Sequence, residues 1–175
     1  MKKTKKMTFA AIMAAVAAAV MLVSWFPYLT YAIPALAGLF VMITVIETNI
    51  KWAVGTYVAS AFPVFLWAEK ESMILYIMFF GYYPIIKALT EKLRKPVLEW
   101  IIKIAVFNVA VVAAYLIFSK AIGFSLEEFE IIGKYGAYIF LGFANIVFVL
   151  YDIAVSRMAM FYFAVIKPKF RGFKL

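Results

Sequence analysis

The sequence predicts an all-α fold, an integral membrane bundle of six transmembrane helices with both termini cytoplasmic. Of its 175 residues, 67% are hydrophobic and 15% are charged, whereas soluble domains are about 45–50% apolar and about 25% charged. A soluble domain of this size leaves much of its surface in water and has no place for so many apolar side chains. The charged residues also cluster, and the stretches between clusters approach the ~20 residues that cross a bilayer as a helix.

The first two helices share the uncharged stretch 7–46, which is long enough for both and a turn. Pro27 marks the turn, among aromatic residues of the kind found at membrane interfaces. We place the helices at about 8–25 and 31–48. The basic start fits a signal peptide, but the apolar stretch is long for one, so we expect the helix to be retained. A β-barrel would need strands of about 9–11 residues with alternating polarity, which the alanine-rich stretch 10–23 lacks.

Four further helices follow at about 52–68, 73–90, 97–119 and 135–157, separated by charged turns. Pro84 lies inside the fourth, where proline removes a backbone hydrogen bond, so we expect a kink there. A basic cytoplasmic tail occupies 167–175. We interpret residues 1–175 as a single transmembrane domain.

The basic residues lie mainly on one side of this bundle. Six helices place both termini on the same side, and that side holds 15 Lys and Arg against 4 acidic residues, a net +11. The other side holds 3 basic and 5 acidic residues, a net −2, and the two sum to the chain's +9. Because Lys and Arg favour the cytoplasmic side, we predict a multi-pass protein of the cell (plasma) membrane. Its basic residues face lipid headgroups rather than nucleic acid.

The sequence offers little for catalysis. It contains no His and no Cys, and therefore lacks the commonest general base and metal ligands. We predict that the chain is not an enzyme and holds no metal or cofactor. Ionisable residues near the membrane are Glu47, Asp152 and Arg157. Glu47 and Lys51 are spaced as an i,i+4 pair, and Asp152 is expected to reach Arg157 or Lys87. Their role, structural or functional, stays open.

The first helix carries small residues at helical spacing. Ala11, Ala15 and Ala19 repeat every four residues, and so do Ala10, Ala14 and Ala18. In lipid, small residues at this spacing let another helix backbone approach closely. The neighbouring helix belongs either to the same bundle or to another membrane subunit.

The outward side is rich in aromatic residues, which form either an interfacial belt or the lining of an outward pocket for a flat small ligand. Under the second interpretation, the candidate ligand-binding residues are chosen by position: Tyr28, Tyr31, Trp67, Tyr76, Tyr138 and Asn145. A cavity of several hundred Å³ lined by them would favour a binding protein, and a solid bundle would not.

The topology, the chain length and the Ala11-x-x-x-Ala15-x-x-x-Ala19 stripe resemble the substrate-binding (S) components of energy-coupling-factor (ECF) transporters. This resemblance implies a vitamin-like small-molecule ligand in an outward pocket. It also implies docking of the alanine stripe onto a transmembrane coupling subunit, against which the S component rotates, driven by separate ATPase subunits. The N-terminal His of the metal-uptake versions is absent, which argues against nickel or cobalt.

A competing interpretation is a non-catalytic scaffold or accessory subunit of a cell-envelope or lipid-handling complex. Such a subunit would use the same alanine stripe and basic loops to bind partners but would have no ligand pocket. A third class, a small lipid-modifying enzyme, fits less well because the membrane segments lack paired carboxylates.

Overall fold

The computed structural model describes residues 2–26, 28–122 and 136–170, and over these residues it is helical, without strands. The predicted all-α class is therefore confirmed. α1 spans Lys3–Met21 and continues as a 3-10 turn over Leu22–Trp25. Its run of alanines explains this element, because alanine is the strongest helix former. α2 spans Ala32–Glu47 and α3 spans Ile50–Trp67, where the Asn49 side chain caps α3 by accepting a hydrogen bond from the Trp52 amide.

The next segment, 70–93, is divided. α4 spans Lys70–Leu75, a π-helical turn covers Tyr76–Phe80, α5 spans Tyr83–Thr90 and a 3-10 turn covers Glu91–Leu93. Pro84 lies in the first turn of α5, where its missing N–H would have no helical partner in any case. The interruption therefore precedes the proline, whereas the sequence predicts one helix kinked at it.

Two long helices follow in the described part of the chain. α6 spans Pro96–Ile122 and α7 spans Gly136–Phe161, which continues through a π-helical turn over Tyr162–Ile166 into α8, Lys167–Phe170. The last helix thus extends well beyond the predicted end at residue 157. Most of the third predicted outer loop and residues 171–175 of the predicted basic tail lie outside the described residues.

Side-chain contacts show which helix ends lie together. The Trp25 indole Nε1 donates to the Trp67 carbonyl (2.8 Å), and the Ser72 hydroxyl donates to the Thr30 carbonyl (2.8 Å). We call this the aromatic end. At the opposite end, Lys167 pairs with Glu47; we call this the basic end. Successive segments run alternately between the two ends.

Segment 70–93 lies at the centre of the bundle. In its most apolar window 56% of the residues are buried, against 17% in 96–117 and in 138–169. Two glycines permit the close packing. A Cβ on Gly38 would lie 2.4 Å from the Phe80 carbonyl oxygen, and one on Gly81 would lie 2.8 Å from the Tyr57 ring.

Among the residues that the structure describes, four helical stretches are long and apolar enough to cross a membrane: Lys3–Trp25, Lys70–Leu93, Pro96–Ile117 and Tyr138–Lys169. α2 is apolar but shorter, with 16 residues. Many large apolar side chains along these helices are exposed, among them Val109, Leu116 and Phe143. Such a surface is compatible with a hydrocarbon environment, in which apolar side chains face outward.

Candidate functional site

A buried ion cluster joins three helices near the basic end. Oδ1 of Asp152 in α7 lies 2.6 Å from Nζ of Lys87 in α5 and 3.1 Å from Nζ of Lys103 in α6. The Tyr83 hydroxyl donates a hydrogen bond to the same oxygen. Lys103 is 1% exposed and Asp152 is 4% exposed. Because water does not screen these charges, their attraction is stronger than that of a surface pair.

Two glutamates complete the cluster. Glu99, one turn before Lys103 in α6, places Oε1 2.5 Å from the Lys103 ammonium. Glu91 places Oε1 2.8 Å from the Lys87 ammonium and 3.9 Å from that of Lys103. Each buried lysine therefore has more than one carboxylate neighbour, as buried charges require. The Glu91 side chain is 48% exposed, so the cluster reaches the surface there.

The chemistry of this cluster favours anchoring over reaction. Both ammonium groups donate to carboxylates, and the Tyr83 hydroxyl is committed to Asp152. Within the described part of the chain, no three His, Cys, Asp or Glu side chains come close enough to hold a metal ion. The cluster fixes α5, α6 and α7 to one another at a single carboxylate oxygen.

The sequence anticipated this cluster only in part. The pairing of Asp152 with Lys87 is confirmed, and Arg157, the alternative partner, is exposed. Sequence reasoning missed Lys103, which it assigned to the polar start of a helix. The available signal was its position seven residues into α6, with Glu99 one turn before it.

The expected pairing of Glu47 with Lys51 is wrong. Glu47 instead lies 3.1 Å from Nζ of Lys167. The i,i+4 spacing applies only within one helix, and here α2 ends at Glu47 before α3 begins at Ile50. Lys167 also lies 5.0 Å from the centre of the Phe163 ring, a cation–π contact. The start of α8 is thereby tied to the end of α2.

The candidate ligand-binding aromatics occupy different environments. Tyr28 is 99% exposed and has a positive φ of 72°. Tyr31, Trp67 and Tyr138 are also exposed, whereas Tyr76 is fully buried in the core. The Tyr76 hydroxyl is hydrogen-bonded to the Ser60 hydroxyl at 2.7 Å. The structure thus does not bring these side chains together around one cavity.

Asn145 is engaged in a reciprocal amide pair between α6 and α7. Its Nδ2 donates to Oδ1 of Asn108 (3.1 Å), and Nδ2 of Asn108 donates to Oδ1 of Asn145 (3.0 Å). Each amide also donates to the carbonyl four residues earlier, Ile104 or Leu141. The amide's donors and acceptor are therefore all used within the protein.

The two alanine stripes of α1 face different surroundings. Ala10 and Ala14 are buried, and α1 packs there against α2 and α3. The Thr56 hydroxyl of α3 even donates to the Ala10 carbonyl (3.1 Å), a contact that a larger residue at this interface would obstruct. Ala11, Ala15 and Ala19 are exposed. Packing within the chain thus uses one stripe and leaves the other on the surface.

Within the residues that the structure describes, two of the apolar clefts open between helices on the side of the bundle. The larger, about 370 Å³, lies between segment 70–93 and α6 and is lined by Ile77, Met78, Tyr82, Ala105, Val106, Val109, Ala110 and Ala113. The smaller, about 210 Å³, lies between α1 and α3 near the aromatic end, where its lining includes Ala19 and Trp67. Neither cleft is lined by Asn145.

These features define the class as an α-helical chain with several helices, in its described part, that are long and apolar enough for a membrane location. No protein family, no curated protein and no solved structure matches this chain.

Proposed function

We propose that this chain is a six-helix protein of the cell membrane, with both termini cytoplasmic, that docks onto another membrane subunit through Ala11, Ala15 and Ala19. The supporting observation is the exposure of this stripe beside its buried counterpart, Ala10 and Ala14. Small residues on an exposed helix face allow close backbone approach, and such packing drives association in lipid. The charge asymmetry of +11 against −2 supports the orientation.

Following the resemblance to ECF S components, we propose that the partners are a transmembrane coupling subunit and its ATPase subunits. The chain then binds a vitamin-like molecule on the outward side for ATP-driven import. The aromatic end, with Trp25, Tyr31 and Trp67 exposed, is the outward side in this orientation. Exposed aromatics there supply stacking surfaces for a flat ligand.

The docking proposal is tested with Ala15→Trp. The protein is co-expressed with a coupling subunit and its ATPases, and the complex is captured through a tag on an ATPase subunit. Ala15→Trp should abolish co-purification, because the large ring holds the partner helix away. The matched control is Val58→Trp on α3, a residue that is 60% exposed outside the stripe. Unchanged co-purification of Ala15→Trp would contradict the proposal.

A second candidate, a scaffold or accessory subunit without a ligand, is favoured by one observation. Two of the six candidate ligand residues, Tyr76 and Asn145, already form hydrogen bonds inside the protein through their polar groups. Native mass spectrometry of the purified protein separates the two candidates. A co-purified vitamin-like molecule supports the transport subunit, and a protein free of small molecules that still binds its partner supports the scaffold.

A further inference from the structure

The turn between α5 and α6 carries three exposed basic side chains, Lys92, Arg94 and Lys95. None of them belongs to an ion pair within the residues that the structure describes. Glu91, in the same turn, links it to the ammonium groups of Lys87 and Lys103 in the ion cluster. The turn and the ion cluster together hold five basic residues against the acidic residues Glu91, Glu99 and Asp152, a net charge of +2.

Among the three acidic residues of this group, Glu91 has the most exposed side chain. Its carboxylate is half exposed and lies 2.8 Å from the Lys87 ammonium at the rim of the cluster. Its backbone belongs to a three-residue 3-10 turn that ends at Arg94, whose φ is 52°. Lys87 keeps Asp152 as a partner if Glu91 moves away, and Lys103 keeps Glu99.

We propose that this turn binds the phosphate of an anionic phospholipid headgroup, and that the Glu91 carboxylate occupies the position that the phosphate takes. Lysine ammonium and arginine guanidinium groups form strong charge-assisted hydrogen bonds with phosphate. An anion that displaces Glu91 meets Lys87 at the rim of the cluster and the three free basic side chains of the turn.

The apolar surface beside the turn identifies the source of the phosphate as a lipid. Lys95 accepts the first helical hydrogen bond of α6 through its carbonyl, and Ile102 and Val109 follow it at seven-residue intervals on the same helix face. Val109 lines the larger apolar cleft. Ala105, at the near end of that cleft, lies about 15 Å along the helix from Lys95.

This distance is about half of the ~30 Å hydrocarbon core, the depth reached by one leaflet. The acyl chain of a lipid whose headgroup is bound at the turn therefore runs along α6 and reaches the start of the cleft. Free phosphate has no acyl chain and would not contact this apolar surface. The proposal requires a membrane location but not the transport role.

The test measures lipid binding to the full-length protein in detergent by native mass spectrometry, with phosphatidylglycerol and phosphatidylcholine as probes. One basic residue near the surface is worth about 1 kcal/mol toward anionic lipid, or about fivefold in affinity. Lys95→Gln should weaken phosphatidylglycerol binding by about fivefold, and Glu91→Gln should strengthen it by about fivefold. Phosphatidylcholine binding should change little in either variant.

Matched controls lie at the other end of the same segment. Lys70 and Glu71 are exposed there, so Lys70→Gln and Glu71→Gln make the same charge changes away from the turn and should leave binding unchanged. Equal effects at both ends would overturn the proposal. Displacement of phosphatidylglycerol by millimolar inorganic phosphate would overturn the lipid as the source. If Glu91→Gln fails to fold, the exposed Lys95 variant decides alone, and unchanged binding refutes the site.

Discussion

Asp152→Asn tests directly what the buried ion cluster contributes. It removes the charge that lies 2.6 Å and 3.1 Å from two buried ammonium groups. Removing one partner of a buried ion pair costs about 3–5 kcal/mol, since it leaves an uncompensated charge. Here Lys87 keeps Glu91 and Lys103 keeps Glu99, so we expect the lower value, about 3 kcal/mol. For a chain of this size that corresponds to a loss of about 6–12 °C in Tm.

The assay is thermal unfolding of the purified protein in detergent, followed by far-UV circular dichroism. Glu71→Gln, an exposed residue in the first turn of α4, is the control and should shift Tm by no more than about 2 °C. In the double variant with Lys87→Met, the loss should be clearly smaller than the sum of the single losses, because contacting residues couple. A Tm of Asp152→Asn within 2 °C of the parent would refute the reasoning, and strict additivity would show that the two residues do not interact.

Three further predictions use the same thermal assay. Asn145→Leu should lower the free energy of unfolding by about 0.6–2 kcal/mol. Adding Asn108→Leu should lower it little further, because the first change already breaks the amide pair. Additive losses from the two changes would contradict the pairing. Gly38→Ala should lower Tm, because the added Cβ would lie 2.4 Å from a backbone carbonyl oxygen. The control Gly142→Ala, with open space around the added Cβ, should be neutral or stabilising. Equal shifts in Tm for the two variants would contradict the close packing at Gly38. Glu47→Gln should lower the free energy of unfolding by at most about 1 kcal/mol, because the side chain of its partner Lys167 is more than a third exposed. A loss above about 2 kcal/mol would mean that the pair is shielded from water.

The positions of the helices followed from the sequence because they depend on local properties. An uncharged, alanine-rich stretch such as 10–20 forms a helix wherever it packs, and polar turns such as that around Asn49 end one helix and cap the next. The break before Pro84 was harder to predict. The rule that proline disrupts helices does not say whether a helix bends at the residue or stops before it. The π-helical turn also contacts α2, α3 and α6, which are not its neighbours along the sequence.

The candidate site was less accessible to sequence reasoning. Asp152 and Lys87 are 65 residues apart, and their pairing follows from the packing of α5 against α7. Lys103 looked like an interfacial residue, because a lysine near a helix start is usually solvated. Only the approach of α7 encloses it. The pocket predicted from aromatic residues rested on their position along the chain, which says nothing about where the rings point.

The sequence by itself determined the helical class, the approximate positions of most helices and the separation of basic from acidic turns, since composition and spacing along the chain decide these properties. It did not determine the end of the last helix or the division of segment 70–93. The tertiary structure decided which of two equivalent alanine stripes is buried and which is exposed. It also decided that two lysines share one aspartate oxygen. Both choices depend on how helices rotate about their axes and pack against distant neighbours, and a repeat of four residues is the same on either face of a helix.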